Sequence, residues 1–183
     1  MPLEPWETTH TELLVDSRWM RVRRDAARLP NGLLVPDYYY VDGGDFGQVF
    51  AVTDDREVVF VRQYKYPVRQ VVLELPAGSF EPEDAGPLEG AQRELREETG
   101  YGGGEWRLLG ECLQSPGKSS TRSFPYLVTG AQYLGEPKPD ATEEIEVVLV
   151  PLSGVLELVT SGAVADSNSL GTALLALRAL GVI

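Results

Sequence analysis

The sequence is poor in the residues that most often carry nucleophilic or redox chemistry. Among 183 residues there is one cysteine, Cys112, and one histidine, His10. A single cysteine excludes an intrachain disulfide. A single histidine near the start argues against a Ser-His-Asp or Cys-His enzyme and against a histidine-bound zinc site. Any acid–base chemistry therefore falls to carboxylates, lysine or tyrosine.

Positive charge and long apolar runs are also scarce. The chain has 16 Lys and Arg against 28 Asp and Glu, a formal net charge of −12 at pH 7, so nucleic acid and anionic membranes are not expected as partners. No apolar run is long enough to span a bilayer. The opening residues MPLEPWETTH lack the basic and apolar regions of a secretory signal, so a cytoplasmic protein is expected.

An acidic helix is the most informative segment that is present. Apolar and small side chains recur at helical spacing and predict one packing face, formed by Leu88, Ala91, Leu95 and Thr99. Glu94, Glu97 and Glu98 fall at i, i+3 and i+4, so their carboxylates share a neighbouring face. Such a face is either solvated and laced with ion pairs, or it binds a hard divalent cation through oxygen. Gly100 is placed to end the helix.

This segment resembles the Nudix box, Gly-x5-Glu-x7-Arg-Glu-U-x-Glu-Glu-x-Gly-U, where U is apolar. The residues on their motif positions are Arg93, Glu94, Leu95, Glu97, Glu98, Gly100 and Tyr101. The first half departs from the pattern, because six residues beyond Gly78 comes Asp84, whereas eight before Arg93 comes Ala85. One extra residue lies in this loop, and Asp84 replaces the missing first Glu if the loop bulges.

The resemblance implies an α/β fold: the Nudix fold, an α/β/α sandwich with a mixed central sheet, plus N-terminal β-strands. Residues 46–183 would form the Nudix hydrolase domain, and residues 1–45 a β segment for dimerisation or substrate binding. It also implies a cofactor, Mg²⁺ with Mn²⁺ possible. The implied metal ligands are the Ala77 carbonyl, Glu94, Glu97 and Glu98. Gly78 would serve backbone geometry, and Arg93 would hold the box together.

Two further segments resemble the ADP-ribose pyrophosphatase branch of that family. Residues 74–78 match its entry into the box, and residues 62–67 match a segment whose basic residue contacts substrate, here Lys65. Pro116 lies fifteen residues beyond Tyr101, near the spacing of a marker of ADP-ribose enzymes. After it, Lys118 and Arg122 offer positive charge to an anionic ligand. The acidic loop 136–144 offers Asp140, Glu143 and Glu144 as a base or late metal ligand, and the predicted catalytic residues are Glu97, Glu98, Glu143 and Glu144.

The resemblance therefore implies Mg²⁺-dependent hydrolysis of the pyrophosphate bond in a nucleoside diphosphate linked to another moiety. ADP-ribose or a similar nucleotide sugar is the expected substrate, and a homodimer is expected. The alternatives are a Nudix hydrolase for another substrate such as GDP-mannose, or a Nudix-like binding or regulatory module with little turnover. Elsewhere the pattern predicts a hairpin turn at residues 30–32 with Asn-Gly at its tip, a tight turn at residues 76–78, a strand over 106–114, and C-terminal helices over 155–160 and 170–180.

Overall fold

The computed structural model describes residues 3–140 and 142–183, and the chain forms two compact units. The first unit contains the described residues up to Gly44 together with Leu113–Arg122. The second contains Asp45–Cys112 and Ser123–Ile183. The chain therefore leaves the second unit once, for ten residues, and then returns to it.

The elements alternate between strands and helices only in the second unit. The strands are β1 Glu7–Asp16, β2 Arg21–Arg28, β3 Leu34–Val41, β4 Phe46–Thr53, β5 Glu57–Lys65, β6 Gln70–Glu74, β7 Ala77–Ser79, β8 Tyr101–Gly102, β9 Glu105–Leu108, β10 Cys112–Leu113, β11 Arg122–Tyr133 and β12 Ile145–Pro151. The helices are α1 Pro87–Thr99, α2 Leu152–Thr160 and α3 Ser167–Ala179. No helix among the described residues is long and apolar enough to cross a membrane.

The first unit is a three-stranded antiparallel sheet in the order β1-β2-β3. The turn between β2 and β3 uses Asn31 and Gly32, as the sequence predicts. Gly32 has φ +86°, a backbone conformation that glycine adopts at little cost, and Asn31 Oδ1 accepts from the Leu33 N–H at 3.0 Å. Residues 113–122 attach at the end of β3, where the Val41 N–H donates to the Lys118 carbonyl at 2.8 Å.

The second unit is built on a mixed sheet in the order β10-β11-β4-β5-β12. β11 runs parallel to β4, whereas β5 is antiparallel to both of its neighbours, β4 and β12. β6 adds to β5, and the short β7 adds to β4. Both short strands flank the entry to α1, so the sheet fixes the backbone that faces the acidic helix.

Alternation along β4 creates two cores, because successive side chains of a strand point to opposite faces. Phe50 and Val52 pack with residues of α2 and α3, whereas Val49 and Ala51 pack with residues of α1. Helices therefore cover both faces of the sheet, which confirms the predicted α/β/α sandwich.

Three predicted details of local structure are wrong. Residues 77–79 form β7, paired with β4, and not a tight turn. The predicted strand over 106–114 is two strands, β9 and β10, separated by three residues that include Gly110. Leu88 is 43% exposed, because the first turn of α1 borders an open cavity of about 520 Å³ with Leu108 and does not pack into the core.

Candidate active site

The last turns of α1 are fixed by their packing and by a glycine cap. Ala91 and Leu95 are fully buried against the sheet. Gly100 ends the helix with φ +76°, and its N–H donates to the Arg96 carbonyl. A Cβ at Gly100 would lie 2.1 Å from the Gly135 carbonyl oxygen, so both the conformation and the space require glycine. These contacts leave the glutamates of α1 facing the β7 backbone.

Glu98 is the most buried of these glutamates. Only 5% of the residue is exposed, and its Oε2 accepts the Ala77 N–H at 3.1 Å. A buried carboxylate is costly unless it is hydrogen-bonded or paired with a cation. The structure therefore holds Glu98 against β7 by a backbone donor.

Glu94 lies against the backbone of Gly78. A Cβ added to Gly78 would fall 1.9 Å from the Glu94 side-chain carboxyl carbon. Real Cβ atoms never come this close to another heavy atom, so the carboxylate occupies the space that any other residue at 78 would fill. This contact explains the glycine of the motif in this chain. It also places two carboxylates, from Glu94 and Glu98, beside one short strand.

Arg93 contacts one carboxylate in the loop before α1 and two carboxylates on α1 itself. Its Nε and Nη2 each lie 3.2 Å from an oxygen of Asp84, a bidentate pair that favours a fixed geometry. Nη2 also donates to the Ser79 carbonyl at 3.0 Å, and Nη1 donates to Glu94 and Glu97 at 2.9 Å each. Asp84 lies six residues after Gly78, in the loop that carries the extra residue. Its carboxylate accepts both hydrogen bonds from the Arg93 guanidinium.

Glu97 differs from its two neighbours. Its side chain is 44% exposed and accepts a hydrogen bond from Arg93. The three glutamates therefore form a gradient from the buried Glu98 to the solvent-facing Glu97. This gradient follows from the helical spacing, because one face of α1 is packed on the sheet.

Burial and mutual repulsion change the acidity of the two inner glutamates. Burial, together with the negative charges of Glu97 and Glu143, raises the pKa of Glu94 to about 7, although the Arg93 guanidinium opposes the shift. Burial, then the charges of Glu94 and Glu143, raise the pKa of Glu98 to about 8. The Arg93 guanidinium acts in the opposite sense on Asp84 and holds the pKa of that carboxyl below its usual range. Two carboxylates that disfavour their own charge are suited to a bound cation.

We expect the metal-free protein to lose stability as pH rises from about 4.5 to about 8. In this window the unfolded chain has released the protons that folded Glu94 and Glu98 retain, so unfolding is progressively favoured. Each unit of pKa shift corresponds to about 1.4 kcal/mol. Asp84 acts in the opposite direction, but only near and below its ordinary pKa of 3.8. Thermal unfolding in a chelator from about pH 5 to about pH 9 measures the effect.

Glu98→Gln is the control for this pH dependence, because the amide cannot ionise. Its melting temperature should vary less with pH than that of the wild type. A wild-type melting temperature that rises across the same range would contradict the assignment.

Of the three acidic-loop residues predicted as a base or late metal ligand, one acts electrostatically on the glutamates of α1. Glu143 raises the pKa of both Glu94 and Glu98, and its Oε2 accepts the Asp140 N–H at 3.2 Å. Asp140 and Glu144 are exposed. Sequence spacing did not choose among the three, whereas the structure singles out Glu143 by its electrostatic effect on the buried pair.

Lys65 lies at the end of β5 and is held by two partners. Its Nζ contacts Glu74 at 2.6 Å and donates to Gln63 Oε1 at 2.6 Å. Its positive charge also lowers the pKa of Glu98. Lys65 and Glu74 line a cavity of about 530 Å³ whose wall is completed by Asp166 at the start of α3. The sequence pointed to Lys65 but not to its partner Glu74. The two side chains meet because β6 pairs with β5.

The other two predicted substrate-binding residues belong to the first unit. Lys118 lies in the exposed segment that pairs with Val41, and Arg122 is the exposed first residue of β11. The carboxylates of α1 belong to the second unit, and the role of Lys118 and Arg122 stays a prediction.

A preformed metal site is not found in the described residues, but the donor set fits a hard cation. Across residues 3–140 and 142–183, no three His, Cys, Asp or Glu side chains are grouped to hold an ion. Glu94 and Glu98 nevertheless supply oxygen ligands, which Mg²⁺ and Mn²⁺ prefer. Their raised pKa values show that an added positive charge would stabilise the site.

Two family models match the chain. The NUDIX domain family model matches residues 47–168, and the nucleoside diphosphate sugar hydrolase N-terminal domain model matches residues 6–41. The chain therefore belongs to the Nudix family. Within that family it is a Nudix pyrophosphohydrolase.

Its relatives include proteins named as ADP-ribose pyrophosphatases. The ADP-ribose pyrophosphatase of Mycobacterium tuberculosis is 29% identical over 88% of this chain and 78% of that protein. The ADP-ribose pyrophosphatase of Bacillus subtilis is 34% identical over 66% of this chain and 65% of that protein. A solved ADP compounds hydrolase superposes over the full length of both chains with a TM-score of 0.85 at 19% identity, which shows a shared fold.

Proposed function

We propose that the protein hydrolyses the diphosphate bond of a nucleoside diphosphate linked to a second group, with Mg²⁺ as its ion. ADP-ribose or a related nucleotide sugar is the proposed substrate. The observation that carries the proposal is the buried pair Glu94 and Glu98 beside β7, with Gly78 leaving room for one carboxylate. The substrate class is supported by relatives named as ADP-ribose pyrophosphatases.

The proposed roles follow from position. Glu94 and Glu98 would hold the ion, with Glu97 at the exposed edge and the Ala77 carbonyl as a further ligand. When bound, Mg²⁺ supplies the positive charge that neutralises diphosphate oxygens. Arg93 is the proposed structural residue, because its contacts with Glu94 and Asp84 join the helix to the loop.

The remaining roles concern the water and the phosphates. We assign the proton-accepting role first to Glu143, with Glu144 as the neighbour that could replace it, because the charge of Glu143 reaches the buried pair. Lys65 would bind a phosphate, since its ammonium lies where its charge acts on Glu98. Lys118 and Arg122 are the other two proposed substrate-binding residues, because both side chains are positively charged. In a chain of net charge −12, these local cations make an anionic ligand acceptable.

The substrate class is tested on a panel of diphosphates and triphosphates with Mg²⁺ and with Mn²⁺. We expect AMP and ribose 5-phosphate from ADP-ribose, and a higher kcat/KM for a diphosphate-linked compound than for any nucleoside triphosphate. A preference for a triphosphate would refute the proposed substrate. Binding of ADP-ribose or GDP-mannose without products would favour a binding module.

We also propose that the N-terminal strands form a homodimer. Several large apolar side chains of the first unit are exposed, among them Leu14, Trp19 and Tyr39, and a second copy would cover them. Light scattering at micromolar concentration should give twice the chain mass of 20.1 kDa. Leu14→Glu on β1 should yield the monomer, whereas Leu174→Glu on α3, equally exposed at 42%, should not. A monomeric wild type with full activity would refute the proposal.

A further inference from the structure

A buried polar network lies next to β7, within the core that α3 forms with β4. Gln48 on β4 and Ser169 and Thr172 on α3 are 2%, 0% and 4% exposed. Gln48 Nε2 donates to Ser169 Oγ at 3.0 Å, and Thr172 Oγ1 donates to Gln48 Oε1 at 3.0 Å. Buried polar groups specify geometry strongly, because leaving any one of them without a partner is costly.

Ser169 is the member of this network that reaches the backbone before β7. Its Oγ accepts the Leu75 N–H at 2.9 Å and donates to Asp166 Oδ2 at 2.8 Å. Leu75 lies between β6, which pairs with β5, and β7, which pairs with β4. At this crossing a side chain, and not a neighbouring strand, takes the Leu75 N–H. The hydroxyl therefore fixes the point at which the chain changes strands.

The next two residues, Pro76 and Ala77, also have hydrogen-bonded backbone groups. The Pro76 carbonyl accepts the Val49 N–H at 2.9 Å, and the Ala77 N–H donates to Glu98 at 3.1 Å. Ser169 thus anchors the first of three consecutive residues, and Glu98 binds the third. Pro76 can absorb less of a shift at Leu75 than another residue could, because its ring fixes φ.

We propose that Ser169 is a positioning residue: its buried hydroxyl fixes the linker of Leu75 and Pro76, and thereby the Ala77 amide against Glu98. This inference rests on the proposed function, because it assigns to Glu98 a part in catalysis. Ser169 itself touches neither substrate nor ion. It acts through the backbone, so its loss should lower turnover more than substrate binding.

The test compares two buried hydroxyls of one network. Ser169→Ala removes the acceptor of Leu75, and we expect kcat to fall about tenfold while KM changes less than about twofold. Thr172→Val is the matched control, because it is on the same helix and loses a bond to Gln48 but none to the linker. It should keep kcat within about twofold, even though both variants lose thermal stability. Equal losses of kcat in the two variants, or none in Ser169→Ala, would overturn the proposal.

Two further measurements keep the result decisive. If Ser169→Ala does not fold, Ser169→Cys fills the same space with a poorer acceptor, and unchanged kcat in that variant overturns the proposal. Hydrogen exchange of the Leu75 and Ala77 amides should be faster in the Ser169 variant than in Thr172→Val, and equal exchange overturns the positioning role. Glu98→Gln in the same assay separates the two claims: normal turnover there refutes the proposed function, and the exchange result then decides the positioning role by itself.

Discussion

Glu98→Gln and Glu94→Gln should each lower kcat by about a hundredfold or more, while the metal-free protein stays as stable as the wild type or becomes more stable. Gln keeps the shape and one oxygen but removes the charge that a hard cation requires. Burial and mutual repulsion make the negative charges of Glu94 and Glu98 unfavourable in the folded protein. The same substitution should therefore weaken Mg²⁺ binding and relieve repulsion.

Melting curves with and without Mg²⁺, measured beside kcat, check this expectation. The wild type should be stabilised by Mg²⁺ more than either variant, because a ligand stabilises the state that binds it. Glu157→Gln is the control, since it removes a charge from an exposed helical position on α2. Near-normal turnover in both Glu98→Gln and Glu94→Gln would show that the two carboxylates are not catalytic.

Gly78→Ala should lower kcat by a factor comparable with Glu94→Gln, about a hundredfold, with little loss of stability. The added Cβ would occupy the space of the Glu94 carboxyl group, 1.9 Å from its carbon. That group is the end of a flexible side chain, so it can swing away without unfolding the helix. Activity should fall because Glu94 is displaced, although its chemistry is intact. Gly154→Ala, where a Cβ meets no atom within 4 Å, is the control.

The double variant Gly78→Ala with Glu94→Gln makes the test sharper. If both changes act through one carboxylate, their effects on kcat should not add, and the double variant should resemble the worse single variant. If the loss of kcat in the double variant equals the product of the two single losses, Gly78 serves some other part of the site. The first result would explain the motif glycine by the space that it leaves for a ligand.

The sequence predicted best what is local. The end of α1 at Gly100 and the hairpin at Asn31 and Gly32 depend on neighbours in the chain, and both were predicted. The sandwich was implied by the family resemblance, and the packing of helices on both faces of the sheet confirms it. The family pattern supplied the carboxylates, because three glutamates at helical spacing before a glycine form a dense signal.

Contacts between neighbouring strands could not be predicted from local sequence patterns. Residues 77–79 look like a turn in isolation, and they become β7 only because β4 offers an edge to pair with. Glu74 pairs with Val61 in the register of β6 on β5, and the long Lys65 side chain reaches its carboxylate. Leu88 fits the helical face by spacing, but its turn borders an open cavity. Each of these depends on residues distant in the chain, which periodicity does not report.

The detour of residues 113–122 has a consequence for the order of assembly. β1, β2 and β3 can pair as soon as they leave the ribosome, because they are consecutive hairpins. The bridge from Val41 to Ser119 closes a loop of 77 intervening residues, so the last part of the first unit waits until β4 to β10 have been synthesised. A chain shortened to begin at residue 45 would lose the partner of this segment, and the Lys118 carbonyl and Ser120 N–H would be left to water.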